Sequence, residues 1–220
     1  MVGKINIAID GPAAAGKSTI SKKVAEHFNY IYIDTGAMYR AVTLHTLRHG
    51  MNVLDDLSEL NVRLTPLPNQ QVFVNDEEVT EEIRSMEVNQ NVSRVSSLKI
   101  VREFLVDMQR EIAKDKGVVM DGRDIGTTVL PDSELKIYMN ASPEVRAERR
   151  FIEEQIKGIE IDMRTLTEQI RKRDEQDKNR ALSPLRKAED ALFLDTSYMT
   201  IEEVTQKIIE LAEEIVRGDQ

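Results

Sequence analysis

The sequence predicts an α/β fold: a parallel sheet flanked by helices, plus a small antiparallel insert and a helical lid. Three observations carry this. Short apolar runs alternate with helix-spaced segments along most of the chain, the pattern of a parallel sheet covered on both faces. The first of these runs leads into a glycine-containing loop that ends in Lys-Ser-Thr. Two stretches break the alternation. One reads as short strands around prolines, and the other is dense in charge and poor in large apolar side chains.

The elements follow in order. Ile5-Asn6-Ile7-Ala8-Ile9 reads as a buried strand. Gly11-Pro12-Ala13-Ala14-Ala15-Gly16-Lys17-Ser18-Thr19 comes next, and Ile20, Val24, Ala25 and Phe28 then share one helical face. Strand, Gly-x-x-x-x-Gly-Lys-Ser, then helix is a phosphate-binding arrangement. The glycines let backbone N–H groups turn inward around a polyphosphate, and the helix start adds its unpaired N–H groups and positive dipole end. Lys17 is expected on the β- and γ-phosphates, and the Ser18 hydroxyl on Mg²⁺.

Residues 30–34 form a second strand, followed by Thr35-Gly36-Ala37-Met38-Tyr39-Arg40. Helical spacing resumes through Val42, Leu44 and Leu47 and stops at Gly50. Ligands of such sheets bind at the carboxyl ends of strands, so Asp34, Thr35 and Arg40 fall beside the phosphate loop, where a second substrate would lie.

Residues 61–92 read as the antiparallel insert. Residues 62–65 and 71–74 are strand-like, Pro66 and Pro68 separate them, and Asn75-Asp76-Glu77-Glu78 is a polar turn. One helix is predicted over 92–112, with Val95, Leu98, Val101, Leu105 and Met108 on its apolar stripe and Ser93 and Arg102 off it. Residues 117–121 are a buried strand ending in a carboxylate, and Gly122-Arg123-Asp124-Ile125-Gly126 returns to the loop edge. Residues 135–139 are the next strand. A helix from Pro143 brings Arg146, Arg149 and Arg150 close together. Residues 151–189 carry Arg164, Arg171, Lys172, Arg173, Lys178, Arg180, Arg186 and Lys187, and read as a mobile flap. Residues 191–195 form a last strand and 201–216 a closing amphipathic helix. His27, His45 and His49 are expected to be surface or packing residues.

Bulk numbers narrow the function. The chain has 220 residues, which fits one α/β unit with insertions. It has no cysteine, so no disulfide framework, thiolate metal site or thiol nucleophile. A formal charge of −9 argues against a broad nucleic-acid interface. No apolar run approaches the ~20 residues that span a bilayer, and no long apolar leader precedes the first strand, so a cytoplasmic location is expected.

A phosphate loop alone does not separate a kinase from a GTPase, a motor or a regulatory nucleotide binder. No Asn-Lys-x-Asp segment for guanine is present, and the chain is short for a motor. Arg40, Arg123, Arg173 and Arg180 recur at strand ends and in the flap, giving the positive charge that two anionic nucleotides need together. Phosphoryl transfer requires mainly positioning and charge neutralisation. A phosphate acceptor already carries its nucleophilic oxygen, which fits the absence of a catalytic triad. A closing arginine-bearing flap would also expel water.

Four stretches together resemble one family. They are Ala8-Ile9-Asp10-Gly11-Pro12, the segment from Asp34 to Arg40, Asp121-Gly122-Arg123-Asp124-Ile125-Gly126-Thr127, and Arg173-Asp174-Glu175-Gln176-Asp177-Lys178-Asn179-Arg180 with Ser183-Pro184-Leu185. With the insert, they closely resemble the bacterial cytidylate kinases along essentially the whole chain.

The resemblance implies a single P-loop kinase unit. Its core would be 1–60, 93–150 and 190–220, its nucleoside-monophosphate insert 61–92 and its lid 151–189. A monomer with nucleotide partners only is expected. The reaction would be reversible, Mg²⁺-dependent transfer of the ATP γ-phosphate to CMP or dCMP. Carried over by motif, the ATP site is residues 11–19 with Arg149 over the adenine or on a phosphate. Arg40, Arg123 and Arg180 would clamp the acceptor phosphate, and Arg173 and Asp177 the ribose. Ser93, Arg102 and Asp124 would read the base, with Thr35 and Tyr39 completing the acceptor site. Lys17, Arg123, Arg173 and Arg180 would carry the catalytic charge neutralisation.

The base-reading set also has a chemical rationale. Cytosine presents an amino donor beside two acceptors, which suits Asp124 accepting while Arg102 and Ser93 donate. Uracil reverses two of those positions. Other readings stay open at this stage. Asp124 forms a structural ion pair with Arg102 or Arg123, or Ser93 is an exposed hydroxyl. Asp34 or Asp121 either holds Mg²⁺ through water or orients the loop. UMP or AMP is the acceptor instead, or the chain binds ATP as a regulator without turnover.

Overall fold

The computed structural model describes residues 3–156, 158 and 160–218. Met1, Val2, Asp219 and Gln220 at the ends of the predicted core, and Lys157 and Ile159 in the predicted flap, lie outside the described residues. In chain order the elements are β1 (Asn6–Asp10), α1 (Lys17–Phe28), β2 (Ile31–Asp34), α2 (Thr35–His49), β3 (Val62–Leu64), β4 (Val72–Val74), β5 (Glu77–Glu78) and α3 (Met86–Val95). They continue with α4 (Lys99–Ala113), β6 (Val118–Gly122), β7 (Leu135–Asn140), α5 (Pro143–Ile156), α6 (Met163–Lys178), β8 (Leu192–Asp195) and α7 (Ile201–Arg217).

Five strands form the main sheet in the order β2-β6-β1-β7-β8, and every neighbour pair is parallel. The central strands β1 and β6 are buried at every position, as strands covered on both faces must be. Alternation divides their side chains between two cores. Ala8, Val118 and Met120 pack with α2, α4 and the insert. Ile7, Ile9 and Val119 pack with α1 and α7. The register sets Asp10 opposite Gly122 and Asp34 opposite Asp121, so the carboxyl ends of three strands meet at one edge.

The insert is a separate antiparallel sheet, β3-β4-β5. Its third strand replaces part of the predicted polar turn: Glu77 and Glu78 pair with Val74 and Phe73. Asn75, at φ 53°, makes the tight turn that permits this.

The predicted single helix over 92–112 is two helices. Ser96 Oγ donates to Ser93 O at 3.3 Å and Ser97 Oγ to Arg94 O at 2.7 Å, so hydroxyls take carbonyls that a continuing helix would use. Leu98 is extended before α4 starts. α3 begins at Met86, inside the predicted insert, with Ser85 as its cap. α2 begins earlier than predicted, because Asp34 Oδ1 accepts from Ala37 N at 2.9 Å and caps it.

The predicted flap has its own small apolar seam. Leu166 and Ile170 of α6 pack on Ala147 of α5, with Phe151, Ile161 and the loop residue Ala14 against them. His27 lies 3.3 Å from Glu213 on α7, and His49 bonds the His45 carbonyl at 3.0 Å. Among the described residues, no helix is long and apolar enough to cross a membrane.

Gly11 fixes how close the loop stands to the sheet. It has φ +152°, and a Cβ there would stand 2.1 Å from the backbone oxygen of Met139. Backbone of a central strand cannot give way as a side-chain tip does. Gly11→Ala is expected to destabilise the protein by about 3 kcal/mol or more, measured by urea unfolding.

Candidate active site

β1 ends at Asp10 and the chain turns into the phosphate loop, with Gly16 at φ 87° before the first turn of α1. Lys17 is only 5% exposed, and its Nζ donates to the carbonyls of Gly11 (2.9 Å) and Pro12 (2.8 Å). Burial, then the Arg123 guanidinium, lowers the Lys17 pKa to about 7, against the attraction of Asp121 and Asp10. Pro12 and Ala15 are buried, Ala13, Ala14 and Ser18 half-buried, and Thr19 exposed.

Asp121 and Asp34 separate by what they touch. Asp121 accepts from Ser18 Oγ at 3.0 Å and Tyr32 OH at 2.8 Å, while its backbone carbonyl accepts from Thr35 Oγ1 at 2.8 Å. Asp34 caps α2. Burial, then the neighbouring Asp34, raises the Asp121 carboxyl to about 6. A cation at Ser18 would reverse that penalty. Among the described residues, no group of three or more His, Cys, Asp or Glu is arranged to hold a metal. Ser18 Oγ and an Asp121 carboxylate oxygen stand 3.0 Å apart, a donor set that could meet a cation keeping most of its waters.

Four arginines converge from α2, the end of β6, and α6 with the loop after it. Arg123 Nε donates to Asp177 Oδ2 at 2.8 Å, and Arg40 Nε to Asn89 Oδ1 at 3.3 Å. Burial, then repulsion from Arg123 and Arg40, lowers the Arg173 pKa to about 9. Burial also lowers those of Arg40 and Arg180. Among the described residues, Arg173 Nε and Arg180 Nε and Nη2 are buried without a hydrogen-bond partner. Unpaired buried guanidinium donors are expensive, and an anion with several oxygens would satisfy them.

Beyond them lies a second polar group. Arg102 Nη2 pairs with Asp124 Oδ2, both side chains 5% exposed. The Arg102 guanidinium carbon lies 5.6 Å from the centroid of the buried Tyr39 ring, and Nη1 donates to Ser96 O at 3.5 Å. Burial raises the Asp124 carboxyl, with Arg102 and Arg180 opposing. Ser93, half-buried on α3, connects to this group through Ser96, whose Oγ donates to the Ser93 carbonyl and whose own carbonyl accepts from Arg102.

α5 joins the loop to α6. Arg149 donates to Ala15 O at 3.4 Å and Thr196 O at 2.7 Å. Arg146, a residue without an assigned role in the sequence, is buried in a denser set of bonds. It donates to Ala13 O at 3.1 Å and Ala141 O at 2.9 Å, and holds Asp174 of α6 at 3.1 and 2.6 Å. Its nearness to Arg149 and Arg150 in the sequence was the available signal. Only burial distinguishes it from them.

The family model described as Cytidylate kinase matches residues 7–214. A cytidylate kinase of Caldicellulosiruptor bescii is 50% identical over 98% of this chain and 99% of its own length. One of Listeria welshimeri is 52% identical over 99% of this chain and 100% of its own. Among solved structures, a gluconokinase from Sinorhizobium meliloti aligns with a TM-score of 0.51 at 13% identity, covering 98% of this chain and 95% of its own. At that identity the likeness concerns the fold, a phosphate-loop kinase fold.

Removing one partner from the buried Arg146–Asp174 pair leaves a charge without compensation. Asp174→Asn is expected to cost about 3–5 kcal/mol in urea unfolding, whereas Glu144→Gln, at the exposed Arg171 pair, costs under ~1 kcal/mol.

Proposed function

The chain belongs to the cytidylate kinase family, and from that premise we propose that it transfers the γ-phosphate of ATP reversibly to CMP or dCMP with Mg²⁺, giving ADP and CDP or dCDP. It is an ATP-dependent nucleoside monophosphate kinase. The observation that carries the substrate assignment is the buried Arg102–Asp124 pair, on which Arg180 acts, together with the buried donors of Arg173 and Arg180 that have no hydrogen-bond partner among the described residues. A base with both a donor and acceptors would meet the pair, and its phosphate would meet the arginines.

In this reading the core carries the donor site, residues 61–92 the acceptor insert and residues 151–189 the lid. Gly11 to Thr19 cradle the ATP phosphates, Lys17 neutralises them, and Arg149 lies at the adenine end of the loop. Arg40, Arg123 and Arg180 hold the acceptor phosphate, while Arg173 and Asp177 serve the ribose. Thr35 supports the Asp121 backbone, and Tyr39 lies under Arg102. Ser93, Arg102 and Asp124 read cytosine. Ser18, with Asp121 to receive water hydrogens, would hold Mg²⁺, which supplies charge neutralisation between the phosphates. The enzyme acts as a cytoplasmic monomer.

ADP release with CMP, dCMP, UMP, AMP or no acceptor tests the reading. Fast turnover is expected with the two cytidine nucleotides alone. Equal rates with UMP or AMP would overturn the base assignment, and none with any acceptor would overturn the kinase. Asp124→Asn is expected to lower the CMP-to-UMP ratio of kcat/KM by at least about tenfold, since an amide donates to the uracil carbonyl that a carboxylate repels.

Lys17→Ala is expected to reduce turnover by roughly 10²–10³-fold, the scale of losing one charge-stabilising donor. Its stability should not fall. A lysine whose folded pKa drops from 10.5 to about 7 costs the fold most below pH 7, where it is charged in both states, and the cost fades as pH rises towards 10.5; alanine relieves it. A melting temperature at pH 8 well below that of the parent would contradict this.

A further inference from the structure

Asp10 is the last residue of β1, one step before the phosphate loop, and it is 4% exposed. Its side chain binds a different segment. Oδ1 accepts from Ile125 N at 2.7 Å, and Oδ2 from Gly126 N at 2.8 Å. Those N–H groups open the short π-helical turn Ile125–Val129, whose preceding residue is Asp124.

Asp124 has an irregular backbone, φ −145° and ψ 28°, outside any strand or regular helix. Its placement therefore depends on what pins the turn. Within the turn, the Asp124 carbonyl accepts from Thr128 N at 2.9 Å and Val129 N at 3.2 Å. At the far end, Arg110 of α4 donates to Val129 O at 3.0 Å and Thr128 O at 2.7 Å. At the near end, next to Asp124 itself, Asp10 holds both N–H groups. A Cβ on Gly126 would crowd the Lys136 stem, 3.2 Å from Cδ, and make ordinary contact with Asp10 Oδ2 at 3.4 Å.

Keeping a carboxylate here is costly. Burial raises the Asp10 carboxyl to about 7 against the pull of the two N–H groups, and Asp124 adds repulsion. An apolar side chain would fill the end of a buried strand without that cost. The carboxylate is accounted for by what it fixes.

We propose that Asp10 is a positioning residue for base selection: by fixing the Ile125–Gly126 backbone it sets where the Asp124 carboxylate meets the exocyclic group of the acceptor base. The inference rests on Asp124 reading that base. Discrimination by hydrogen bonds needs the reading group held within about 0.5 Å, and a turn released at one end does not give that.

The test is kcat/KM for CMP and UMP at saturating ATP in the parent enzyme, Asp10→Asn and Asp124→Asn. Asparagine offers one acceptor and one N–H₂ group to two N–H donors, so one hydrogen bond becomes a clash. Asp10→Asn is expected to lower the CMP-to-UMP ratio by about tenfold, mainly through KM for CMP. Any effect of Asp10 on Lys17 acts on both acceptors alike and cancels in the ratio, as does a general loss of active protein. A parental ratio in Asp10→Asn, with a lowered one in Asp124→Asn, overturns the role of Asp10 alone. No preference in the parent, or none lost in Asp124→Asn, overturns the base reading and this inference with it. If Asp10→Asn does not fold by circular dichroism, Asp10→Glu, which keeps both acceptor oxygens but displaces the turn they hold, is measured in its place. A lowered ratio is expected there too, and an unchanged one overturns the proposal.

Discussion

A buried ammonium stands at the meeting point of three strand ends. Lys17 is held by two loop carbonyls and lies within the fields of Asp10 and Asp121. Taking an ion out of water costs several kcal/mol even after relaxation, so its surroundings must supply opposite charge at short range. Parallel register supplies it. Strands β1, β6 and β2 end level with one another, and each ends at or beside an aspartate. The sheet therefore does more than bury apolar side chains. It fixes the spacing of carboxylates and cations at one edge, and the loop, the turn at 125–129 and the start of α2 all attach there.

Helix α6 is tied to that edge by contacts of unequal weight. Arg171–Glu144 is exposed on both sides, so water screens it and it contributes little. Arg146–Asp174 is buried and bidentate, and the same guanidinium holds the Ala13 carbonyl of the loop. A shift in the loop at Ala13 is thus felt at α6. Arg123–Asp177 makes a second link, from the end of β6 to the C-terminal end of α6. The positions of Arg173 and Arg180 depend on these two pairs and on the small seam around Leu166 and Ile170. The seam is enough to seat α6, while most of its side chains remain polar.

Much of this was legible in the sequence because it is local. The phosphate loop and the runs that become β1, β6 and β7 depend on residue order and periodicity alone. The break between α3 and α4 was not legible. Ser96 and Ser97 suit a helix surface equally well, and only their hydroxyl bonds to the preceding turn show the chain stopping. Glu77 and Glu78 look like a turn because nothing in an acidic pair suggests a strand; β4 imposes it on them. Arg146, Arg149 and Arg150 cannot be ranked by spacing, since the difference lies in the depth at which α5 buries each. Asp10 reads as an ordinary strand end, because its partners are more than a hundred residues away.

The Arg102–Asp124 pair first read as either structural or base-reading, and the two readings are less opposed than they look. A buried ion pair contributes little net stability, because desolvation consumes most of the attraction, and a well-packed apolar pair of similar volume often does as well. Stability alone gives weak reason to keep two charges 5% exposed beside the Tyr39 ring. Each group nevertheless retains hydrogen-bonding capacity beyond the contact they share: a carboxylate accepts several bonds and a guanidinium donates five. Pairing holds both side chains in place, so a base meeting them would not have to order them first. The desolvation is likewise incurred on folding rather than on binding. Under the proposed function, the pair that looks structural would make a short, rigid edge of acceptor and donors, and its value would lie in discrimination rather than in the stability of the fold.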